Sequence, residues 1–159
     1  MTDFMTPEAR SKHMAKIRSK DTKPELVLRS LLHRAGYRYK LHDKSLPGRP
    51  DLVFPARKKV IFVNGCFWHG HDCPVGARLP KTNTEYWHDK RERNRVRDLR
   101  QISELRGTGW EVMVVWECQV KSDGNHLEVV QKFLDSGKGL IHLNRELGLF
   151  IISLVEVET

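Results

Sequence analysis

Apolar residues recur at two different spacings along this 159-residue chain, and the change of spacing predicts where helices and strands lie. Thr22-Lys23-Pro24-Glu25 is typical of a helix start, with Thr22 as cap, proline in the first turn and Glu25 completing a capping box. Apolar runs at 52–54, 60–63 and 111–116 predict strands, and the run at 60–63, apolar on both faces, predicts a central one. Further predicted elements are a strand over 37–41, a helix over about 84–106, a helix over 127–134 and an apolar terminal stretch over 149–155.

The long helix over 84–106 is rich in charge. Its predicted inner stripe consists of Val96, Leu99, Ile102 and Leu105. Its basic residues could contact phosphate groups, but acidic residues are interspersed, so a solvated face of mixed charge explains the helix equally well.

The order helix, strands, helix, strand, helix predicts an α/β fold, with one central mixed sheet flanked by helices. Residues 1–20 are polar and basic and have few core-forming side chains. They are predicted to form an N-terminal arm that precedes a single domain over residues 21–159.

The net charge adds information about the partner. The chain has 28 Lys and Arg against 20 Asp and Glu, a net charge of +8, and the surplus is concentrated in residues 1–40. Such a distribution suits a polyanion, although a basic surface that only confers solubility is equally consistent with it. No apolar run approaches the roughly 18 residues of a membrane span, and the first residues lack a signal-peptide pattern, so a cytoplasmic protein is expected.

Cysteine and histidine cluster directly after the run at 60–63. Cys66, His71 and Cys73 can approach one ion from a compact turn, and Cys118 follows a strand that could neighbour that run. Three thiols and one imidazole are a common closed shell for structural zinc, although Cys118 could also be an ordinary buried thiol. His69 is not needed for this shell, and a surface or supporting role is open to it.

Aromatic residues stand inside this cluster. Phe67 and Trp68 are consecutive and cannot easily both face a core, and Trp87 lies near them at the start of the long helix. Such side chains can insert between DNA base steps, whereas most aromatic residues simply fill a core.

Two carboxylates are candidates for further chemistry. Asp51 follows a proline at the mouth of a strand, where it could bind Mg²⁺ that polarises a phosphodiester, although Pro-Asp pairs are common in turns. Glu25 could point toward the sheet, but its place in the capping box is the favoured interpretation.

Five segments resemble the very-short-patch mismatch repair endonucleases of bacteria. They span 21–25, 46–51, 65–69, 84–87 and 115–118, which read DTKPE, LPGRPD, GCFWH, TEYW and VWEC. The resemblance implies a restriction-endonuclease-like fold with structural zinc. It also implies a Mg²⁺-dependent nick on the 5′ side of the T in a T:G mismatch, the product of 5-methylcytosine deamination.

The resemblance also implies roles for individual residues. Asp51 and the Val63 carbonyl would bind Mg²⁺, His69 would be the general base, and Glu25 would hydrogen-bond a water on the metal. Zinc would be held by Cys66, His71, Cys73 and Cys118. The DNA next to the mismatch would be contacted by Phe67, Trp68, Trp87 and, from the arm, Met14.

Position 64 departs from the family pattern. Better-known members carry a second catalytic histidine where this chain has Asn64, which can donate a hydrogen bond but cannot shuttle a proton. Cleavage is therefore expected to be reduced or to depend differently on pH. A zinc-stabilised protein that binds mismatches with weak or no cleavage is the alternative. The expected setting is a monomer in the bacterial nucleoid that works beside a cytosine-5 methyltransferase and downstream repair proteins.

Overall fold

A computed structural model describes residues 6–16, 20–122, 125–137 and 151–152, without the side chains of residues 7, 10, 13–15, 151 and 152. The helices are α1 (Pro7–Lys16), α2 (Lys23–Arg34), α3 (Cys66–His69), α4 (Thr84–Gly107), α5 (Glu117–Lys121) and α6 (His126–Asp135). The strands are β1 (Lys40–Leu41), β2 (Leu52–Phe54), β3 (Lys59–Asn64), β4 (Glu111–Trp116) and β5 (Ile151–Ile152), and a 3₁₀ turn at Pro55–Arg57 links β2 to β3. Within the described part of the chain, no helix is both long and apolar enough to cross a bilayer.

The strands form one five-stranded mixed sheet in the order β1-β2-β3-β4-β5. β3 and β4 are parallel, in a register that runs from Lys59 opposite Glu111 to Asn64 opposite Trp116, and the other neighbours are antiparallel. A parallel pair needs a long crossover, which α3 and α4 supply. The carboxyl ends of β3 and β4 therefore meet at one edge of the sheet.

Helices pack on both faces of the sheet. One apolar cluster joins α2 and α6 to the sheet, through Leu28, Leu32, Leu52, Phe54, Ile61, Met113, Val115, Val120, Val130, Phe133 and Leu134. The other lies under the carboxyl half of α4 and contains Val53, Val60, Cys66, Ile102, Leu105, Val112, Val114 and Trp116. The prediction of an α/β fold with a mixed sheet flanked by helices is confirmed.

The start of α2 follows its sequence signal. Thr22 is the N-cap, and its amide donates to Oε2 of Glu25 at 3.4 Å, one half of the predicted capping box. Leu28 and Leu32 are fully buried on the inner face. α6 also forms where a helix was predicted.

The predicted inner stripe of α4 is wrong in its first half. Val96 and Leu99 are 59% and 61% exposed, whereas Ile102 and Leu105 are buried as predicted. The amino-terminal half of α4 turns Trp87 and Arg91 inward instead. The inner face of this half packs on α3 and the segment after it through Trp87 and Arg91, which leaves Val96 and Leu99 on the outer side of the helix.

The strand predicted over 37–41 is shorter than expected. Only Lys40–Leu41 forms a strand, and Tyr37 and Tyr39 pack edge-on against Phe54, with ring centroids 6.5 and 5.8 Å away. Of the terminal stretch over 149–155, Ile151–Ile152 pair with β4 and the other residues lie outside the described ranges.

A buried lysine joins β3 to α6. Lys59 is 2% exposed, and its ammonium donates to the carbonyls of Phe133 and Ser136 at 2.5 and 2.6 Å and to the Ser136 hydroxyl at 2.9 Å. Glu111 lies 3.4 Å from the same nitrogen. Lys59 therefore satisfies carbonyls that the end of α6 would otherwise leave unpaired.

Candidate functional site

The predicted Cys and His residues come together where β3 and β4 end. One donor atom from each of Cys66, His71, Cys73 and Cys118 lies within 4.8 Å of all the others. Cys66 opens α3 directly after β3 and Cys118 lies in α5 directly after β4, so the parallel register brings the two segments side by side. Three thiols and one imidazole at these separations fit a tetrahedral zinc ion with Zn–S bonds of about 2.3 Å.

Backbone contacts fix the thiols of this cluster. The amide of Cys118 donates to Sγ of Cys66 at 3.4 Å, and the amide of Gly76 donates to Sγ of Cys73 at 3.3 Å. Burial opposes ionisation of Cys73, but hydrogen bonds from His71 and Gly76 outweigh it and lower the pKa of Cys73 to about 6. A Cβ on Gly76 would lie 2.1 Å from the His71 carbonyl oxygen, so only glycine fits there.

Trp116 connects the cysteine cluster to His69. Its ring stacks on His71, with centroids 4.3 Å apart and planes 24° apart, and lies 6.4 Å edge-on from His69. Trp116 is 8% exposed, so it is part of the core, and from there it supports both imidazoles.

The segment after β3 is one turn of helix, α3, where a loop was expected. It packs against the first turns of α4 through an aromatic cluster (Phe67, Trp68 and Trp87). The Phe67 ring lies 5.1 Å from Trp68 and 5.4 Å from Trp87, in edge-on geometry. Phe67 and Trp68 are half-buried, whereas Trp87 is 9% exposed and backs them from α4.

Two cations from α4 hold the aromatic cluster. The Arg91 guanidinium lies 4.4 Å over the Phe67 ring and donates to the carbonyls of Gly76 and Arg78 at 2.9 and 2.6 Å. The Lys90 ammonium lies 5.6 Å from Trp68 and 5.5 Å from Trp87. Arg91 therefore ties Phe67 and the segment after Cys73 to one position on α4.

His69 is oriented by a carboxylate that sequence reasoning did not single out. Its Nδ1 lies 2.5 Å from Oδ2 of Asp98 on α4. One turn earlier on α4, the side-chain amide of Asn94 donates to the backbone carbonyl of Trp68 at 2.9 Å. These contacts fix both the backbone and the ring of His69.

Asp51 sits at the start of β2 with its side chain 16% exposed. Its Oδ2 accepts the Val63 amide at 2.7 Å, and its Oδ1 lies 3.6 Å from Nδ1 of His42. Burial raises the pKa of Asp51 to about 6, and the nearby Glu25 adds to the rise, while the Val63 amide, His42 and His69 oppose it. A cation would relieve the cost of this buried negative charge.

The Val63 carbonyl lies on the same side of β3 as its amide. In a strand, the N–H and C=O of one residue point to the same neighbour. Because the Val63 amide points to Asp51, its carbonyl faces the same side. The donor pair predicted for Mg²⁺, one carboxylate and one carbonyl, is therefore compatible with a hard cation.

Glu25 lies behind Asp51 in a network that the sequence did not reveal. It is 1% exposed, and its Oε1 lies 3.1 Å from Nε2 of His42 and 3.2 Å from Nη1 of Arg29. Arg29 also contacts Asp21 at 2.6 Å. Because Arg29 neutralises both carboxylates, the group of Asp21, Glu25 and His42 is best described as an ion-pair network that borders the site.

These residues surround a cleft of about 740 Å³. Its lining includes Asp51, Asn64, His69, Asp98 and Glu117. Cations also line it, namely Lys20, Lys23, Arg49, Lys90 and Arg97. Met14 lies in α1, and its side chain is not described. The cleft thus combines carboxylates and an oriented imidazole with a basic lining, as expected of an α/β protein that hydrolyses an anionic substrate.

The α4 residues that sequence reasoning missed lie on one helical face. The polar stripe of α4 (Arg91, Asn94 and Asp98) continues from Trp87 at steps of four, three and four residues. That spacing is the signal that could have identified them, had polar residues been accepted as an inner face.

Comparison with known proteins gives the family. The sequence profile described as DNA mismatch endonuclease Vsr matches residues 2–75. The type II nicking enzyme V.XorIIP of Xanthomonas oryzae is 53% identical over 124 residues, 78% of this chain and 90% of that protein. The DNA mismatch endonuclease Vsr of Escherichia coli is 45% identical over 121 residues, 76% of this chain and 77% of that protein.

A relative from Neisseria meningitidis, the type II nicking enzyme V.NmeAIP, is 46% identical over 122 residues, 77% of this chain and 86% of that protein. Identities of this size over most of both chains establish a shared family. The chain belongs to the Vsr family of DNA mismatch endonucleases, and the predicted family is confirmed.

Proposed function

We propose that this protein nicks one strand of duplex DNA on the 5′ side of the T in a T:G mismatch, within very-short-patch repair of deaminated 5-methylcytosine. The observation that carries the proposal is the His69–Asp98 pair, which shares a cleft with Asp51 beside the aromatic cluster. Family membership and the mixed sheet flanked by helices agree with this activity.

His69 is the general base. Donation from Nδ1–H to Asp98 fixes the tautomer in which Nε2 carries a lone pair that can take a proton from the attacking water. Asp98 also stabilises the imidazolium that then forms. Asp98 acts through His69 and is therefore a positioning residue.

Asp51 and the Val63 carbonyl hold Mg²⁺ in this proposal. The bound ion polarises the phosphodiester and makes water a better nucleophile. The Val63 amide keeps the Asp51 carboxylate in place at 2.7 Å. Glu25, behind Asp51, caps α2 and would hydrogen-bond a water on the metal.

The aromatic cluster inserts into the DNA next to the mismatch. Insertion unstacks a base step at a cost of a few kcal/mol, which is lowest where pairing is already weakened. Phe67 and Trp68 are the half-buried members that would enter the DNA, Trp87 supports them, and Met14 would contact the DNA from the arm. Zinc at Cys66, His71, Cys73 and Cys118 holds the turn that carries them. The protein acts as a monomer, since one nick needs one active site.

Asn64 favours a second candidate, a protein that binds the mismatch but cuts weakly or not at all. It lines the cleft and cannot exchange a proton as a histidine would. The aromatic cluster, the cysteine cluster and the basic arm are all that this candidate requires.

One experiment separates the two candidates. Purified protein and Mg²⁺ are incubated with end-labelled duplexes that differ only in T:G or T:A at one position, with Asp51→Asn as the inactive control. A nick 5′ to the mismatched T, absent from T:A and from the variant, supports the endonuclease. Binding specific to T:G with no nick under any divalent ion contradicts it and favours the second candidate.

A further inference from the structure

Arg49 lines the cleft two residues before Asp51, and the family resemblance gives it no role. Its side chain is exposed and, among the described residues, makes no ion pair or side-chain hydrogen bond. The other arginine of the cleft, Arg97, is already 3.1 Å from Asp98. Arg49 is therefore an arginine of the cleft whose donors are available to a ligand.

The backbone at Arg49 is strained. Its φ is +51°, in the left-handed region that a residue with a Cβ avoids, and proline follows it, which disfavours helical conformations further. Glycine or asparagine would occupy the position at lower cost. His42, which also lines the cleft, has a positive φ as well, +48°.

Contacts on both sides of Arg49 hold this conformation. Its amide donates to the Leu46 carbonyl at 3.1 Å, and Pro50 is buried. A Cβ on Gly48 would lie 2.7 Å from Oε1 of Gln101, so the turn fits closely against α4. The position of the Arg49 Cα is thus fixed by the fold, so the side chain starts from one fixed point at the edge of the cleft.

The charges of the cleft call for such a donor. Asp51, Asp98 and Glu117 line it, and together they repel a phosphate. The Lys90 ammonium lies over the Trp68 and Trp87 rings. A guanidinium offers two parallel N–H donors that match two phosphate oxygens, which an ammonium cannot do.

We infer that Arg49 clamps a phosphate of the strand that is cut, either at the scissile bond or directly beside it, and so orients that bond toward His69. The inference rests on the proposed nicking function and adds the residue that binds the substrate backbone at the site of the reaction. Arg49 is catalytic in this scheme because it touches the substrate.

The test combines side-chain removal with removal of single phosphate charges. Arg49→Ala removes the guanidinium and keeps the backbone strain, whereas Arg49→Gly removes both. Arg49→Lys keeps the positive charge. Arg34→Ala, the control, removes an exposed arginine outside the cleft. Binding of each to T:G duplexes is measured with a neutral methylphosphonate at the scissile phosphate or at either neighbour. Thermal unfolding confirms that each variant is folded.

We expect one of the three methylphosphonates to weaken DNA binding by the wild-type protein by about 10-fold or more. The same methylphosphonate should have little further effect on DNA binding by Arg49→Ala or Arg49→Gly. Arg34→Ala should bind as the wild-type protein does, and Arg49→Lys should bind more tightly than Arg49→Ala but less tightly than wild type. If the loss of binding caused by Arg49→Ala adds to the loss caused by the methylphosphonate at each of the three phosphates, the inference is overturned. A wild-type protein that binds but does not nick T:G duplexes contradicts the proposed function, while the binding comparison still decides the role of Arg49.

Discussion

Nδ1 of His69 lies 2.5 Å from Oδ2 of Asp98, across the contact between α3 and α4. We expect Asp98→Asn to lower single-turnover nicking by about 10²- to 10⁴-fold, because an asparagine amide favours the wrong imidazole tautomer and cannot stabilise the imidazolium. Binding to T:G duplexes should change little. Glu104→Gln, an exposed change on the same helix, is the control, and an unchanged nicking rate in Asp98→Asn would contradict the role of Asp98.

Asn64 is expected to limit the nicking rate. Asn64→His should raise the nicking rate and add an ionisation to its pH profile, because an imidazole can exchange a proton and the Asn64 amide cannot. The measurement is single-turnover nicking from pH 6 to pH 9, with Asn64→Ala as the control for loss of the amide. A fall in rate would show that the site is built around asparagine.

Asp51→Asn is expected to abolish nicking and to stabilise the protein at neutral pH without added Mg²⁺. The folded pKa of about 6 lies above the ordinary value of 3.8, so the folded state binds the proton more tightly than the unfolded state. The contribution of Asp51 to the free energy of unfolding is largest below pH 3.8. It is lost as the pH rises through about 6, and the loss reaches about 3 kcal/mol at pH 7.5.

Urea unfolding of wild type and Asp51→Asn at pH 4.5 and pH 7.5 measures this difference. The variant should be the more stable protein at pH 7.5, and the gap should narrow at pH 4.5. Asp89→Asn, at a position 70% exposed, should show no such trend. Equal stabilities at pH 7.5 would contradict a costly carboxylate at position 51.

The cysteine cluster should bind one zinc ion per chain. Cys118→Ser and His71→Gln each remove one donor atom. We expect both variants to lose zinc and to have an unfolding temperature several degrees lower, because the cluster joins the ends of β3 and β4. Metal analysis of the purified proteins and thermal unfolding measure this. His88→Gln, an exposed histidine outside the cluster, is the control, and full zinc content in both donor variants would exclude this donor set.

Lys59 is expected to matter for stability and not for catalysis. Lys59→Met leaves the Ser136 carbonyl without the lysine donor and the Phe133 carbonyl with the Ser136 hydroxyl, so the free energy of unfolding should fall by about 1–3 kcal/mol. Nicking well below the unfolding temperature should be unchanged. Lys132→Met, whose ammonium is exposed and contacts only Glu128 among the described residues, should change stability far less. Equal effects of the two variants would contradict the anchoring role.

The parts of the fold that follow local rules could be predicted from the sequence. The cap at Thr22 depends on neighbouring residues, and the central position of β3 follows from its apolar run. The gathering of Cys66, His71, Cys73 and Cys118 was also predictable, because thiols and imidazoles at this spacing have few other uses. Val96 and Leu99 were misplaced because the inner face was assumed to be apolar, whereas the inner face of this part of α4 combines Trp87 with the polar stripe.

The partners of the catalytic candidates could not be predicted. Asp98 lies 29 residues from His69 in a helix rich in charge, and although its spacing from Trp87 places it on the inner face, no local signal pairs it with His69. His42 reaches Glu25 and Asp51 only because its backbone adopts a left-handed conformation, which the sequence does not announce for histidine. Both contacts are consequences of tertiary packing.

The polar stripe of α4 makes one straight helix the common support for the aromatic cluster and for His69. Each residue of an α-helix turns about 100° from the last, so one residue inserted between Trp87 and Asp98 would rotate these two groups out of alignment by that angle. Loops elsewhere in the chain can change length without this effect. In the proposed function, the number of residues between Trp87 and Asp98 therefore sets the distance between the place where DNA would be distorted and the place where it would be cut.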